Sequence, residues 1–176
     1  MARLFWSSAL LLALAAWAGA DDKKEPAGAK HAGLERIKKL AGEWLATDDK
    51  GKPTTQLVSV FKVTAGGSAV HETIFPGTDH EMVTVYHLDG PDLILTHYCM
   101  LGNQPRMKAD PKSPANQLRF QFTGGSNLKP EKDLHMHEGT IIFVDDDHIE
   151  STWVAYKDGK PDADHKVTMK LVRKKK

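Results

Sequence analysis

Apolar residues occupy every second position through most of this chain, after one short stretch with helical spacing. Leu34, Ile37 and Leu40 lie on one helical face and Gly42 follows them, which predicts a short amphipathic helix that ends there. Beyond Gly42 the apolar period is two, as in β-strands. The alternation predicts ten strands, the sixth of them weakly: residues 43–48, 55–64, 69–75, 81–88, 92–100, 105–109, 117–123, 134–144, 148–157 and 165–174.

Turn-forming residues separate the predicted strands, as in Asp89-Gly90-Pro91 and Gly124-Gly125-Ser126-Asn127. No helical stretch lies between the strands, so the pattern favours an antiparallel meander over parallel crossovers. Closure into a barrel removes the two exposed edges that an open meander would have. We therefore predict an all-β fold, an antiparallel up-and-down barrel of about 8–10 strands with the short helix covering one end. A two-sheet sandwich is the alternative.

Two predicted strands are apolar on both faces, at residues 57–61 and 140–144. Strands of this kind need cover on their outer side as well as their inner side. The N-terminal helix, a loop or a partner subunit could each supply it. A homodimer across Val58 and Val60 is the simplest form of the last alternative.

The first 20 residues have the pattern of a secretory signal peptide. Arg3 precedes an apolar run, and Ala18-Gly19-Ala20 supplies small residues at a cleavage site. The apolar run is shorter than the roughly 20 residues of a spanning helix, so we expect no stable membrane insertion. The sequence thus predicts a signal peptide at 1–20, a flexible leader at 21–33 and a barrel domain at 34–174, in a secreted or periplasmic protein.

Charge and composition narrow the classes of partner. The chain has 24 Lys and Arg against 23 Asp and Glu, so loss of Arg3 with the signal peptide leaves a formally neutral domain. Nucleic-acid binders need a basic surface, and we expect none here. The sequence also lacks dinucleotide, Walker, zincin, Gly-x-Ser-x-Gly and zinc-ribbon motifs. These observations favour a small-molecule ligand over known hydrolase or nucleotide chemistry.

Gly42-Glu43-Trp44, after a short helix and at the first strand, resembles the start of lipocalins and other calycin barrels. In that superfamily the Trp plugs the closed end and an Arg of the last strand packs over it, a part that Arg173 would play here. Three further segments resemble a family of uncharacterised secreted bacterial proteins with lipocalin-like barrels: 67–72, 80–86 and 96–107. That resemblance implies a fold and no activity. A looser likeness to nitrobindin implies haem, with His165 as the matching ligand.

The segment 80–107 carries the densest candidate chemistry, with His97, Tyr98, Cys99, Asn103 and Arg106 within ten positions. Alternation places His97 and Cys99 on one face of their strand. If that face is the lumen, imidazole and thiol suit a soft metal or an activated thiolate. The alternative is a hydrogen-bonded buried His beside a buried Cys. Cys99 is the only cysteine, so an intermolecular disulfide is a third alternative.

Glu72 interrupts an apolar strand face and needs a partner if it is buried. Arg106 is the candidate, either in an ion pair across the barrel mouth or as an anchor for a ligand anion; the third alternative is an ordinary surface residue. His135 and His137 share a face, which suits two metal ligands or an exposed strand end. We interpret Asp145-Asp146-Asp147 as a turn.

These observations favour a small-ligand-binding barrel, with the ligand expected near Glu72, Tyr86, His97, Cys99, Asn103 and Arg106. A small-ligand-binding barrel of this kind requires no cofactor. The alternatives are a haem-binding nitrobindin-like protein and a small-molecule enzyme that uses Cys99, His97 and Glu72 together.

Overall fold

The computed structural model describes residues 31–175 as one closed antiparallel barrel. The predicted signal peptide at 1–20 and most of the leader at 21–33 lie outside the described residues. One helix, α1 (Ala32–Lys38), precedes ten strands: β1 (Gly42–Thr47), β2 (Pro53–Thr64), β3 (Ala69–Ile74), β4 (Met82–Asp89), β5 (Asp92–Tyr98), β6 (Gln104–Ala109), β7 (Gln117–Ser126), β8 (His135–Phe143), β9 (His148–Lys157) and β10 (Lys160–Arg173). Each strand pairs with its neighbours in sequence, and β1 pairs with β10 to close the barrel.

The predicted all-β barrel and its ten strands are confirmed, including the weak sixth strand. Four strands, β2, β6, β7 and β10, are longer than the alternation indicated, and β7 and β10 differ the most. β7 continues through Gly124 and Gly125, which we had assigned to a turn, and pairs there with β6. A Cβ at Gly125 would lie 2.8 Å from the Gln104 carbonyl oxygen, so glycine permits this close pairing. β10 begins at Lys160 instead of 165, because a bulge between Asp162 and Lys166 interrupts the apolar period.

Helix α1 closes one end of the barrel, as predicted. Leu34 and Ile37 are buried in the main core together with Trp44. The indole Nε1 of Trp44 donates a 2.7 Å hydrogen bond to the Leu40 carbonyl, and the Arg173 guanidinium lies 4.5 Å from the indole ring centre. The predicted packing of Arg173 over Trp44 is therefore confirmed. This architecture is consistent with a calycin-like fold.

The two stretches that are apolar on both faces are covered in part within the chain, although Val144 is exposed. Between β1 and β2 the register shifts, so that Trp44 is opposite Ser59 while Leu45 is opposite Leu57. The extra residue, Val58, is buried in the core. At the end of β8 the Arg36 guanidinium of α1 lies 4.1 Å from the Phe143 ring centre. A homodimer through Val58 and Val60 would lack one of its two expected contact residues, because Val58 is already buried in the core. Dimerisation itself stays a prediction.

The other end of the barrel is the open end. The connections β1–β2, β3–β4, β5–β6, β7–β8 and β9–β10 gather there because the strands alternate in direction. The candidate residues of β3, β4 and β5 point into the barrel between this end and the helix-covered end.

Candidate functional site

A row of buried polar side chains crosses three neighbouring strands inside the barrel. Glu72 of β3 is directly opposite Thr84 of β4, and Thr84 is directly opposite His97 of β5. All three side chains are buried. The alternation of β3, β4 and β5 places them on the inner face, where the sequence would otherwise supply aliphatic residues. The row divides into two hydrogen-bonded groups.

The first group is centred on the carboxyl group of Glu72. Ser59 Oγ donates a 2.8 Å hydrogen bond to one oxygen, and the Tyr86 hydroxyl donates a 2.7 Å bond to the other. Burial raises the pKa of Glu72 to about 7, although both hydrogen bonds act in the opposite direction. Burial and the neighbouring carboxyl group raise the pKa of Tyr86 well above its usual value. Near neutral pH the Glu72 carboxyl is therefore balanced between its charged and neutral forms.

The expected ion pair between Glu72 and Arg106 is wrong. Arg106 lies on the outer face of β6 and forms a 2.6 Å salt bridge with Asp89. Neither side chain of that bridge is buried. The reason is alternation: Pro105 and Met107 face the core, so the residue between them must face outward. The charges of Glu72 and Arg106 are complementary, but the sequence does not determine which residues of the weak sixth strand point into the barrel.

The second group is formed by His97 and Thr84. The Thr84 hydroxyl lies 2.9 Å from His97 Nδ1, and the opposite ring nitrogen, Nε2, is buried without a hydrogen-bond partner. The His97 ring stacks on the Trp153 indole with a centre-to-centre distance of 6.2 Å. Burial lowers the pKa of His97 to about 4, so the imidazole is neutral at physiological pH. The contacts with Thr84 and Trp153 hold the ring, and Nε2 is the ring nitrogen that could meet a ligand.

His97 lines a small apolar cavity of about 60 Å³ at the open end of the barrel. Eight residues form its wall: Ile74, Phe75, Met82, His97, Met136, Trp153, Val167 and Met169. They come from the ends of β3 and β5, the starts of β4 and β8, and the middle of β9 and β10. Drug-sized ligands occupy pockets of roughly 300–1,000 Å³, so this cavity suits a ligand of very few atoms.

Cys99 and Asn103 lie beside this end of the barrel, in the connection between β5 and β6. The Cys99 amide donates a 3.1 Å hydrogen bond to the Asn103 carbonyl oxygen. Desolvation raises the pKa of the half-buried Cys99 thiol, which is the opposite of an activated thiolate. The Asn103 side chain is buried; its Nδ2 donates to the Leu134 carbonyl at 2.9 Å, and its Oδ1 is without a partner.

Among the three residues of the enzyme alternative, only His97 lines the cavity. Glu72 is held by Ser59 and Tyr86, and Cys99 lies in a connection beyond the end of β5. The structure therefore does not gather imidazole, thiol and carboxyl around this cavity. Tyr86, included among the candidate ligand contacts, is buried and bonded to Glu72.

His135 and His137 contact each other, with His135 Nε2 3.0 Å from His137 Nδ1. His135 is fully buried, so the expected exposed strand end is wrong for this residue. Its Nδ1 lies 2.7 Å from the Asp133 carbonyl, which requires a proton on Nδ1 and leaves Nε2 as the acceptor. The pair also stacks with aromatic rings, His137 on Tyr156 at 3.8 Å between centres. The Nε2 lone pair is thus already used by His137.

His165 lies at the β10 bulge, where its Nδ1 is 3.2 Å from an Asp162 carboxylate oxygen. About half of the His165 side chain is exposed. A haem-ligating histidine is normally held inside a pocket, and the 60 Å³ cavity beside His97 is far smaller than a macrocycle. The residues present therefore do not fit haem in this conformation. Asp145, Asp146 and Asp147 form a turn between β8 and β9, as predicted.

Sequence reasoning missed Ser59, Thr84, Trp153 and the three methionines of the cavity wall. A signal for two of them was present in the sequence. Ser59 alternates with Phe61, and Thr84 alternates with Tyr86, so each is a hydroxyl on an otherwise apolar face. A hydroxyl in such a position must hydrogen-bond another buried group. The methionines carried no signal, because methionine is an ordinary core residue.

No family model matches the chain, and no curated protein matches it. The resemblance to a particular secreted family and the likeness to nitrobindin therefore stay predictions. Within residues 31–175, no helix is long and apolar enough to cross a membrane. The same residues hold no group of three or more His, Cys, Asp or Glu side chains suited to a metal ion.

Proposed function

We propose that this protein is an exported barrel that binds a small ligand at its open end, in the cavity beside His97. The observation that carries the proposal is the buried His97 Nε2, which has no partner in an apolar cavity wall. An unsatisfied buried polar atom costs about 1–3 kcal/mol, so proteins rarely retain one without use. A ligand that accepts from or donates to this nitrogen would recover that energy.

The surroundings of His97 support a binding role. Thr84 and Trp153 hold the imidazole from two sides, which reduces the entropy lost when a ligand binds. The cavity wall is apolar, as in most ligand sites. His97 and Trp153 are the two lining residues with ring N–H groups, and that of Trp153 already donates to Ser151. Export rests on the sequence pattern of residues 1–20 alone.

Native mass spectrometry of protein recovered from its own secretory compartment tests the proposal directly. The native mass is compared with the denatured mass, and an absorption spectrum is taken of the same sample. Extra mass that is lost on denaturation supports a bound ligand, and a Soret band would identify haem. A bare mass alone is compatible with a weakly held ligand, so the decisive measurement is binding in solution.

Xenon is a suitable probe, because small apolar cavities bind it without a specific contact. We expect xenon to shift the NMR signals of Ile74, Trp153 and the other wall residues. Val167→Trp places a large ring at the cavity rim and should abolish these shifts. Val63→Trp is the matched control, because Val63 is similarly exposed but lies at the helix-covered end. Unchanged wall signals in the wild-type protein, or equal effects of both variants, would overturn the proposal.

A further inference from the structure

The cavity wall at the open end combines one imidazole with three methionines. Met82, Met136 and Met169 line it together with His97. The whole chain has six methionines, so half of them meet at one cavity of eight residues. They come from three different strands, β4, β8 and β10. A concentration of this kind is unusual for a wall that any aliphatic residue could form.

Thioether sulfur is a soft donor, and imidazole nitrogen is acceptable to the same soft ions. Soft ligands of this type select Cu(I) among the biological metals, whereas hard ions such as Mg²⁺ and Ca²⁺ require oxygen donors. Methionine has three rotatable side-chain bonds and can turn its sulfur toward a guest. A single ion also fits a cavity of about 60 Å³.

The contacts behind His97 are those of a metal ligand. Metal-binding histidines usually donate their second ring nitrogen to a neighbouring group, which fixes the tautomer and the ring orientation. The Thr84 hydroxyl, 2.9 Å from Nδ1, can accept a hydrogen bond from that nitrogen. In that tautomer Nε2 carries a lone pair, and this buried nitrogen has no hydrogen-bond partner among the described residues. Stacking on Trp153 restrains the same ring.

We infer that the open-end cavity is a site for a soft monovalent metal ion, Cu(I) or its analogue Ag(I), held by His97 Nε2 and the thioethers of Met82, Met136 and Met169. This inference rests on the proposed binding function and assigns the class of its ligand. The binding step is simple coordination, without transfer of electrons or protons in the bound state.

Ag(I) is the probe, because it has the same ligand preference and does not change oxidation state. The titration uses the full chain carrying Cys99→Ser, since a free thiol binds Ag(I) wherever it lies. We expect saturation at one ion per chain. The ε-methyl NMR signals of Met82, Met136 and Met169 should shift with the His97 ring signals, while that of Met107, which is buried in the core away from this wall, should not.

Three variants sharpen the test. His97→Phe keeps a ring against Trp153 but removes the nitrogen ligand, and Met136→Leu with Met169→Leu removes two sulfurs at nearly constant volume. Each should weaken Ag(I) binding at least about tenfold. Thr84→Val should weaken it about tenfold, and less than His97→Phe does, because it removes the group that orients the ligand and not the ligand itself. Met107→Leu is the matched control and should leave the affinity unchanged.

Ag(I) that shifts only the exposed Met100 and His80, whose sulfur and Nδ1 lie 3.4 Å apart, would overturn the inference. Ag(I) that does not bind at all would overturn it as well. The xenon experiment separates the two proposals. If xenon enters the cavity and Ag(I) does not, the metal assignment fails while a small-ligand site stands; if neither enters, both fail.

Discussion

Tyr86 donates a 2.7 Å hydrogen bond to Glu72 inside the barrel, and the described residues place no cation within salt-bridge distance of that carboxyl group. An ionised carboxylate in such a place is stabilised only by two hydroxyl groups, from Tyr86 and Ser59. The desolvation penalty exceeds their contribution, which is why the pKa of Glu72 is raised to about 7. The barrel therefore contains a carboxyl group that is mostly neutral below about pH 7, whereas an exposed glutamate is ionised there.

Glu72→Gln should remove a pH dependence from the stability of the protein. Since the folded-state pKa of about 7 lies above the ordinary value of 4.5, the folded state binds more protons than the unfolded state between these values. The contribution of Glu72 to stability is present below pH 4.5 and is lost as the pH rises through 7. We therefore compare the free energies of unfolding of Glu72→Gln and the wild-type protein. The difference, variant minus wild type, should rise by about 3 kcal/mol between pH 4.5 and pH 7.

Urea unfolding at several pH values measures this difference. Glu131→Gln, at an exposed position, is the control and should give a profile parallel to that of the wild type. A parallel profile for Glu72→Gln as well would show that the carboxyl group has an ordinary pKa in the folded protein.

Tyr86→Phe should destabilise the protein and raise the pKa of Glu72 further. The ring is retained, but one carboxyl oxygen loses its donor in a buried place, at a cost of about 1–3 kcal/mol. The Tyr86 hydrogen bond lowers the pKa of Glu72, so its loss moves the pH-dependent window upward. Tyr156→Phe is the comparison, because its hydroxyl bonds Glu138 in a part-buried place. Equal effects of both substitutions on the pH profile would contradict this account.

His97 should give the opposite pH dependence. Its folded-state pKa of about 4 lies below the ordinary 6.5, so the unfolded state binds the proton first as the pH falls. The stability that neutral His97 contributes is fully present above pH 6.5. It is lost as the pH falls from 6.5 to 4, and the total loss is about 3 kcal/mol. NMR titration of the imidazole measures the pKa, and His97→Phe should abolish this part of the acid sensitivity. A midpoint near 6.5 would show that the ring is hydrated in solution.

Alternation, with turn residues between the strands and no helix among them, was enough to predict an antiparallel meander. Its closure into a barrel was inferred from the edges that an open meander would expose, and a two-sheet sandwich was the alternative. The pattern is clear in β10, where apolar and polar residues alternate at Val167, Met169 and Leu171. The helix at the covered end was predicted from the spacing of Leu34, Ile37 and Leu40. The packing of Arg173 over Trp44 was implied only by the resemblance of Gly42-Glu43-Trp44 to calycin barrels.

The site was harder to predict, because it depends on register between strands that are distant in sequence. Glu72 and Arg106 have complementary charges, yet they face opposite sides of the sheet. His97 was recognised as a candidate, whereas its neighbours Thr84 and Trp153 come from other strands. The alternation marks Thr84 as a hydroxyl on an apolar face but does not say that it contacts His97, and Trp153 bears no local signal of its role. The bulges in β2 and β10 are equally invisible in the sequence, since each depends on how the partner strand pairs.

Arg173→Lys should weaken the closed end of the barrel. The guanidinium lies over the Trp44 ring and donates to the carbonyl groups of Ala41 and Lys39, each at 2.9 Å. Lysine keeps the charge but cannot reproduce this planar set of contacts, so the free energy of unfolding should fall by about 1–3 kcal/mol. Lys174→Met, which removes an exposed salt bridge to Glu43, should cost less than about 1 kcal/mol. Chemical denaturation of both variants measures the contrast, and equal losses would contradict it.

Gly139→Ala should disturb the candidate site from the neighbouring strand. A Cβ at Gly139 would lie 2.6 Å from the Trp153 ring, which is directly opposite it on β9. The ring must move, and it is the same ring that stacks on His97 and lines the cavity. Overpacking of this kind costs about 1–3 kcal/mol. We expect lower stability together with shifted His97 ring signals and weaker xenon binding. Gly51→Ala is the comparison: a Cβ there meets nothing within 4 Å, but the φ of +76° is left-handed, so this variant should lose stability through backbone strain and leave the His97 signals unchanged. If Gly139→Ala lost stability without moving the His97 signals, Trp153 would not be the link between β8 and the cavity.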